Sequence, residues 1–126
     1  NGGLREVVIF ALGSNNREAG GTEPLDAGTF RELHEITGDR TVFLVTNVSV
    51  PQSGDFEKNN QAMKAAARKY EDWHVIDWAA TVESLPDPAT VLSEEDLTAW
   101  EARLHPTDPE GIDLWVQLIV KALSPA

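Results

Sequence analysis

Three stretches of the chain carry unbroken or nearly unbroken apolar runs, and the segments between them change to helical spacing. Val7 to Leu12 is continuous and ends in Gly13-Ser14-Asn15-Asn16. A run of that kind suits a strand covered on both faces, and therefore a parallel sheet. Thr41 to Val50 is a second, β-branched run, stopped by Pro51, and Trp73 to Trp78 is a third, closing on Asp77-Trp78. Phe30, Leu33 and Ile36 predict a short amphipathic helix from Thr29, ended by Gly38, with His34 on its solvated side. Phe56, Asn60, Met63, Ala67 and Tyr70 predict the inner face of a second helix over 56–70. Asn59 and Asn60 are poor interior helix formers, so one of them either reaches a site-forming loop or lies in a solvated first turn.

The remaining segments read as edges and caps. Residues 17–28, with Gly20-Gly21 and Pro24, and 81–90, with Pro86 and Pro88, have loop composition. Ser93-Glu94-Glu95-Asp96 reads as the cap and acidic first turn of a short helix toward Trp100. The last helix has Thr107 or Asp108 as its cap, Pro109 in the first turn and Glu110 as capping-box partner or favourable charge. Its predicted sheet-facing residues are Ile112, Trp115, Val116, Ile119 and Leu123, widened by Leu114 and Leu118. Strand and helix alternate without repeats, which predicts one α/β domain over 1–126: a three-layer sandwich with a parallel sheet, of the flavodoxin-like kind.

Composition narrows the partners. The chain has 126 residues, the size of one domain, and no apolar run approaches the roughly 18 residues needed to cross a membrane. Its formal net charge of −11 disfavours nucleic acid and anionic lipid surfaces. There is no cysteine, hence no disulfide and no thiolate nucleophile or metal ligand. His34, His74 and His105 are scattered without the spacing of a metal-binding pair.

In open parallel sheets ligands gather beyond the carboxyl ends of the strands. Asn15, just past the first strand, offers a rigidly mounted amide donor of the kind that stabilises an oxyanion during acyl transfer. His105, before Pro106 in the loop that enters the last helix, offers a general base. A nucleophile is harder to supply: Ser14, Ser49, Ser53, Ser84, Ser93 and Ser124 are available, but none sits in a G-x-S-x-G elbow.

With those residues in place the chain resembles a known family. VVIFALGSNN is similar to the strand and Gly-x-Asn block of the SGNH (GDSL-like) hydrolases, and HPTDPEGIDLWVQLI to their final block. TVFLVTNVSVP with NNQAMKAAARKYEDWHVIDWAA resembles the extracytoplasmic SGNH domains attached to bacterial acyltransferase-3 membrane proteins, peptidoglycan O-acetyltransferases among them. The resemblance implies Asn15 as oxyanion-hole amide, His105 as base and no metal or organic cofactor. It implies an acyl donor and a cell-envelope glycan acceptor, at an extracytoplasmic site tied to the membrane through the parent protein. Two departures stand out. The Gly-Asp-Ser nucleophile block and the glycine block that follows it are absent, and the position three before His105, usually an acid, is Ala102. Glu101 is the preferred carboxylate to orient His105, with Asp108 as the alternative.

A parallel sheet without its first strand exposes apolar edges. The chain is therefore expected to be the carboxyl-terminal part of a longer polypeptide whose amino-terminal part carries the serine. A rearranged compact domain and a dimer covering the exposed edge are the rivals. On function, the competing readings are a catalytically degenerate SGNH-like domain that binds glycan or a partner and, further behind, a nucleotide-binding flavodoxin-like domain, for which ALGSNN has one glycine and no lysine.

Overall fold

The computed structural model describes residues 6–11, 25–48, 56–87 and 109–124. In chain order they form β1 (Val7–Phe10), α1 (Ala27–Thr37), β2 (Thr41–Val45), α2 (Glu57–Lys69), β3 (Trp73–Ile76), α3 (Trp78–Glu83) and α4 (Glu110–Leu123). The three strands make one parallel sheet in the order β1-β2-β3, with Val8 opposite Val42 and Val42 opposite Trp73. The expected α/β architecture with a parallel sheet is present, with apolar clusters on both faces of β2.

β2 is the pivot because its alternate side chains serve two different cores. Val42 and Leu44 point to one face, where Phe30 of α1 and Met63 and Ala66 of α2 cover them together with Trp73. Phe43 and Val45 point to the other, against Val48, Ile76, Trp78, Ala79 and Val82, with Leu114, Trp115, Leu118, Ile119 and Ala122 of α4 packed on them. A strand buried on both sides needs an uninterrupted apolar run, which is what Val42 to Val45 provide after Thr41.

The caps of α1 are written locally. The Asp26 carboxylate accepts the Thr29 backbone N–H at 3.0 Å, and that bond, aided by the Thr29 hydroxyl, the Gly28 N–H and the Arg31 charge, outweighs residual desolvation and lowers its pKa. Gly38 ends the helix at φ 63°, the left-handed region where a side chain is strained, and its N–H reaches the His34 carbonyl. Arg40 then donates to the carbonyls of Ile36 and Thr37 and pairs with Glu6, tying the end of α1 to the start of β1.

Several expectations are corrected. β1 is not covered on both faces: Val8 and Phe10 pack toward α1 and α2, but Val7 and Ile9 stay exposed on the face that carries Phe43. In α1, Phe30 is buried and Leu33 partly so, but Ile36 is 73% exposed and Thr37 is the residue turned inward. His34 is half-buried instead of solvated, its ring stacked on Tyr70 at 4.2 Å between centroids. The segment after β3 is helical through Glu83 where a loop was expected, because Asp77 caps it and Trp78, Ala79 and Val82 gain a buried face. In α4 the inward residues are Leu114, Trp115, Leu118, Ile119 and Ala122, while Ile112, Val116 and Leu123 face out. Pro109 occupies the cap position of that helix; Thr107, Asp108 and the expected helix after Ser93 lie outside the described residues.

Phe30 is 1% exposed and meets Trp73 edge to face, so Phe30→Ala is expected to lower unfolding free energy by about 3–5 kcal/mol in urea titration. Ile36→Ser, on the same helix, is expected to change it by less than about 0.5 kcal/mol.

Candidate functional site

The carboxyl edge of the sheet is where the strands release their chains, and the described residues there form a connected polar network. Thr46 follows β2 directly. Its N–H continues the ladder to the Ile76 carbonyl at 3.1 Å, and its hydroxyl donates to Asp77 Oδ1 at 2.9 Å while accepting the Ala79 N–H at 2.9 Å. Thr46 is 1% exposed, so these bonds replace water that the group has lost.

One residue later, Asn60 of α2 grips the backbone of Asn47 on both sides. Asn60 Oδ1 accepts the Asn47 N–H at 2.7 Å, and Asn60 Nδ2 donates to the Asn47 carbonyl at 2.8 Å. A side-chain amide here plays the part of a neighbouring strand, satisfying a backbone donor and acceptor after the sheet has ended. Asn59 reaches the other way: its Oδ1 accepts the Leu25 N–H at 2.8 Å in a buried bond, and its Nδ2 points to Asn47 Oδ1 at 3.4 Å. The two asparagines thus join α2, the exit of β2 and the entry to α1. A solvated first turn for α2 is corrected: Asn59 and Asn60 are 1% and 6% exposed.

Asp77, at the exit of β3, ties the third strand into the same edge. Its carboxylate caps α3 through the Ala80 N–H, accepts from Thr46 and pairs with Lys64 Nζ at 3.3 Å. Partial burial pushes its pKa up, but the Ala80 N–H, the Thr46 hydroxyl and the Lys64 charge together prevail and hold it below the ordinary value.

Of the residues expected to carry chemistry, Asn15, Glu101 and His105 all lie outside the described residues, as do Ala102 and the serines Ser14, Ser49, Ser53 and Ser93; Ser84 and Ser124 end α3 and α4, where their hydroxyls donate to the Thr81 and Val120 carbonyls. Phe10, the last paired residue of β1, stands opposite Leu44, so Ala11 leaves β1 at the edge where Thr46 leaves β2 and Asp77 leaves β3. His74 is exposed beside Phe43 and takes no part in the network. Thr46 and Asp77 are legible as polar residues at the carboxyl ends of the second and third apolar runs, but their pairing with each other and with Lys64 is not. Asp77 at the start of an alanine-containing segment is a cap signal, whereas nothing local marks which partners Thr46 and Lys64 take, since these lie 31 and 13 residues away.

Among the described residues no group of three or more histidine, cysteine, aspartate or glutamate side chains is arranged to hold a metal ion. None of their helices is long and apolar enough to cross a membrane. No family model, curated protein or solved structure matches the chain.

The clamp predicts a graded cost. Asn60→Leu strips both backbone groups of Asn47 of their partners and is expected to lose about 2–4 kcal/mol in chemical denaturation. Asn60→Asp keeps the acceptor, loses the donor and sets a carboxylate against the Asn47 carbonyl, so its loss is expected to ease as pH falls and the carboxylate protonates. At Asp77, a lowered folded pKa means stabilisation present above about pH 4 and lost as pH falls through the folded value. Asp77→Asn is therefore expected to flatten the acid limb of stability against pH, read by thermal melts between about pH 2 and 6.

Proposed function

We propose that this chain supplies the oxyanion amide and the general base of an SGNH-type acyl-transfer site, acting on acyl esters of a cell-envelope glycan outside the membrane. The observation that carries the reading is the shared edge. β1 runs out at Phe10, three residues ahead of Gly13-Ser14-Asn15, on the side of the sheet where Asn47, Asn59, Asn60, Thr46 and Asp77 form a satisfied polar network. A rigid edge is what an oxyanion donor needs, because a donor that has to reorganise during the reaction loses most of its advantage.

In the proposed mechanism a serine on an upstream segment attacks the acyl carbonyl, His105 takes its proton and the Asn15 amide donates to the oxyanion. The donor oxygen leaves with the proton from His105, giving an acyl-serine. A sugar hydroxyl or water then gives its proton to His105 and takes the acyl group, restoring the serine. Glu101 orients the imidazole. The upstream strand pairs with the outer edge of β1, and the exposed Val7 and Ile9 support this placement because they present the apolar face such a unit would bury.

Ala102, where the family has its orienting acid, favours a second reading, a degenerate domain that binds glycan or a partner without turnover. Fluorophosphonate labelling with intact-mass analysis of every polypeptide in the sample separates the two. Label is expected on a serine of an associated or upstream segment. If residues 1–126 alone are present and take no label, the catalytic reading of this chain fails. In an active sample His105→Ala is expected to cut acetyl-ester turnover by about 10²–10⁴-fold with its melting temperature unchanged; an indifferent His105 gives the binding reading the lead.

A further inference from the structure

α2 is the basic element of an acidic chain. Of the chain's 10 lysines and arginines it holds Lys58, Lys64, Arg68 and Lys69, and of the 21 acids only Glu57. These five side chains are exposed. At 3.6 residues per turn they fall within an arc of about 140°, with the buried Asn59, Met63 and Ala66 opposite, so they share one outward face. Glu71 and Asp72 come only beyond the helix end, which leaves the face positive over its last two turns.

Lys64 connects that face to the polar network at the carboxyl edge of the sheet. Its Nζ meets Asp77 Oδ2 at 3.3 Å, and Asp77 accepts from Thr46 in turn. With one of three N–H donors on Asp77 and 47% of the side chain in solvent, the ammonium is oriented but keeps donors for a ligand. Arg68, one turn along the same face, and Lys69 beside it pair with no carboxylate among the described residues. The helix dipole favours Arg68 and Lys69 in the last turn but not Lys64 in the middle, and like charges four residues apart disfavour a helix. In a chain with twice as many acids as bases, three neighbouring cations then have one carboxylate between them. An anionic ligand relieves that repulsion.

The chemistry of the face selects among anions. Its exposed apolar content is Ala65, which gives a lipid surface nothing to bury. No aromatic ring lies open on it for a nucleic-acid base: Tyr70 is stacked on His34 and carries Lys69 Nζ at 5.3 Å from its centroid. Ammonium and guanidinium donors remain, and these suit carboxylates spaced along a hydroxylated polymer. We propose that Lys64, Arg68 and Lys69 bind a glycan whose sugars carry carboxylates, laid along α2 with one end at the carboxyl edge. The choice of a glycan rests on the acyl-transfer reading, which sets that edge as the place of ester attack; the negative charge of the glycan is what α2 adds. Lys64 joins binding to the edge, and Arg68 and Lys69 hold the polymer beyond it.

Isothermal titration of the 126-residue chain with oligogalacturonate tests it. Binding is expected at about 50 mM salt, weakening as salt rises with a logarithmic slope of about −2, the value for three contacts on a single-stranded polyanion. K64Q/R68Q is expected to weaken it at least about tenfold, and so is R68Q/K69Q, which leaves the Asp77 pair in place. R31Q/K121Q, the same change in net charge at exposed positions of α1 and α4, is expected to stay within about twofold of wild type. Neutral dextran is expected not to bind, and polyglutamate to bind less tightly because a flexible peptide loses more entropy on ordering. No binding of oligogalacturonate, an equal loss in R31Q/K121Q, or tighter binding of polyglutamate or polyuridylate overturns the proposal. Turnover plays no part in the titration. A sample that takes fluorophosphonate but does not bind oligogalacturonate therefore loses this surface alone, and one that binds it through Lys64 and Arg68 without taking label keeps the surface and loses the acyl-transfer reading.

Discussion

The structure depends on how the backbone of β2 is satisfied where it leaves the sheet. β2 is the one described strand with a neighbour on each side and a core on each face, so water cannot solvate its exit. Thr46 is 1% exposed and Val48 4%, and burying backbone amides at such a place is costly unless partners replace the water. The partners come from elements on either side of the sheet. Asn60 on α2 holds both polar groups of Asn47, and the Thr46 hydroxyl holds the first turn of α3 through Ala79. The same bonds that solve a solvation problem therefore fix where α2 and α3 begin.

That constraint explains which parts of the fold could be read from the chain. VFLV announces itself, because the part of a strand that serves two cores has no polar position to confuse the pattern. Asn59-Asn60 also announces itself: two poor helix formers at a helix start are retained where their amides have partners. α3 was less legible. WAATVE has too few residues for a period, and what makes it a helix is the Asp77 cap together with burial of Trp78 and Val82 against a cluster assembled from residues 43 to 122. α4 was legible as a helix but not in its orientation. Apolar residues fall on two adjacent sectors, so the sequence alone could not say whether Val116 or Leu118 faces the sheet; tertiary packing chose Leu118.

The candidate site divides in the same way. Asn15 and His105 were found by residue type and by their resemblance to family blocks, that is, by features within a few residues of each. The network at the carboxyl edge of the sheet joins Leu25 to Asn59 and Thr46 to Asp77 across 34 and 31 residues, and no local pattern records such pairings. His34 was misread for a related reason: an imidazole between glutamates looks solvated until Tyr70, from the end of α2, is brought against its ring.

A polar network at a sheet edge is a poor way to gain stability alone, since apolar packing of the same volume often does as well. Its advantage is geometric. Hydrophobic contacts tolerate small displacements, whereas an amide that must meet both an N–H at 2.7 Å and a carbonyl at 2.8 Å fixes the Asn47 backbone to within a few tenths of an ångström. The Leu25 N–H, donated to Asn59 Oδ1 at 2.8 Å, ties the entry of α1 to the same pair of asparagines. A scaffold meant only to hold two layers together would gain little from such exactness. One that has to present a hydrogen-bond donor to a developing charge gains directly, because electrostatic stabilisation of a transition state depends on dipoles that are already in place.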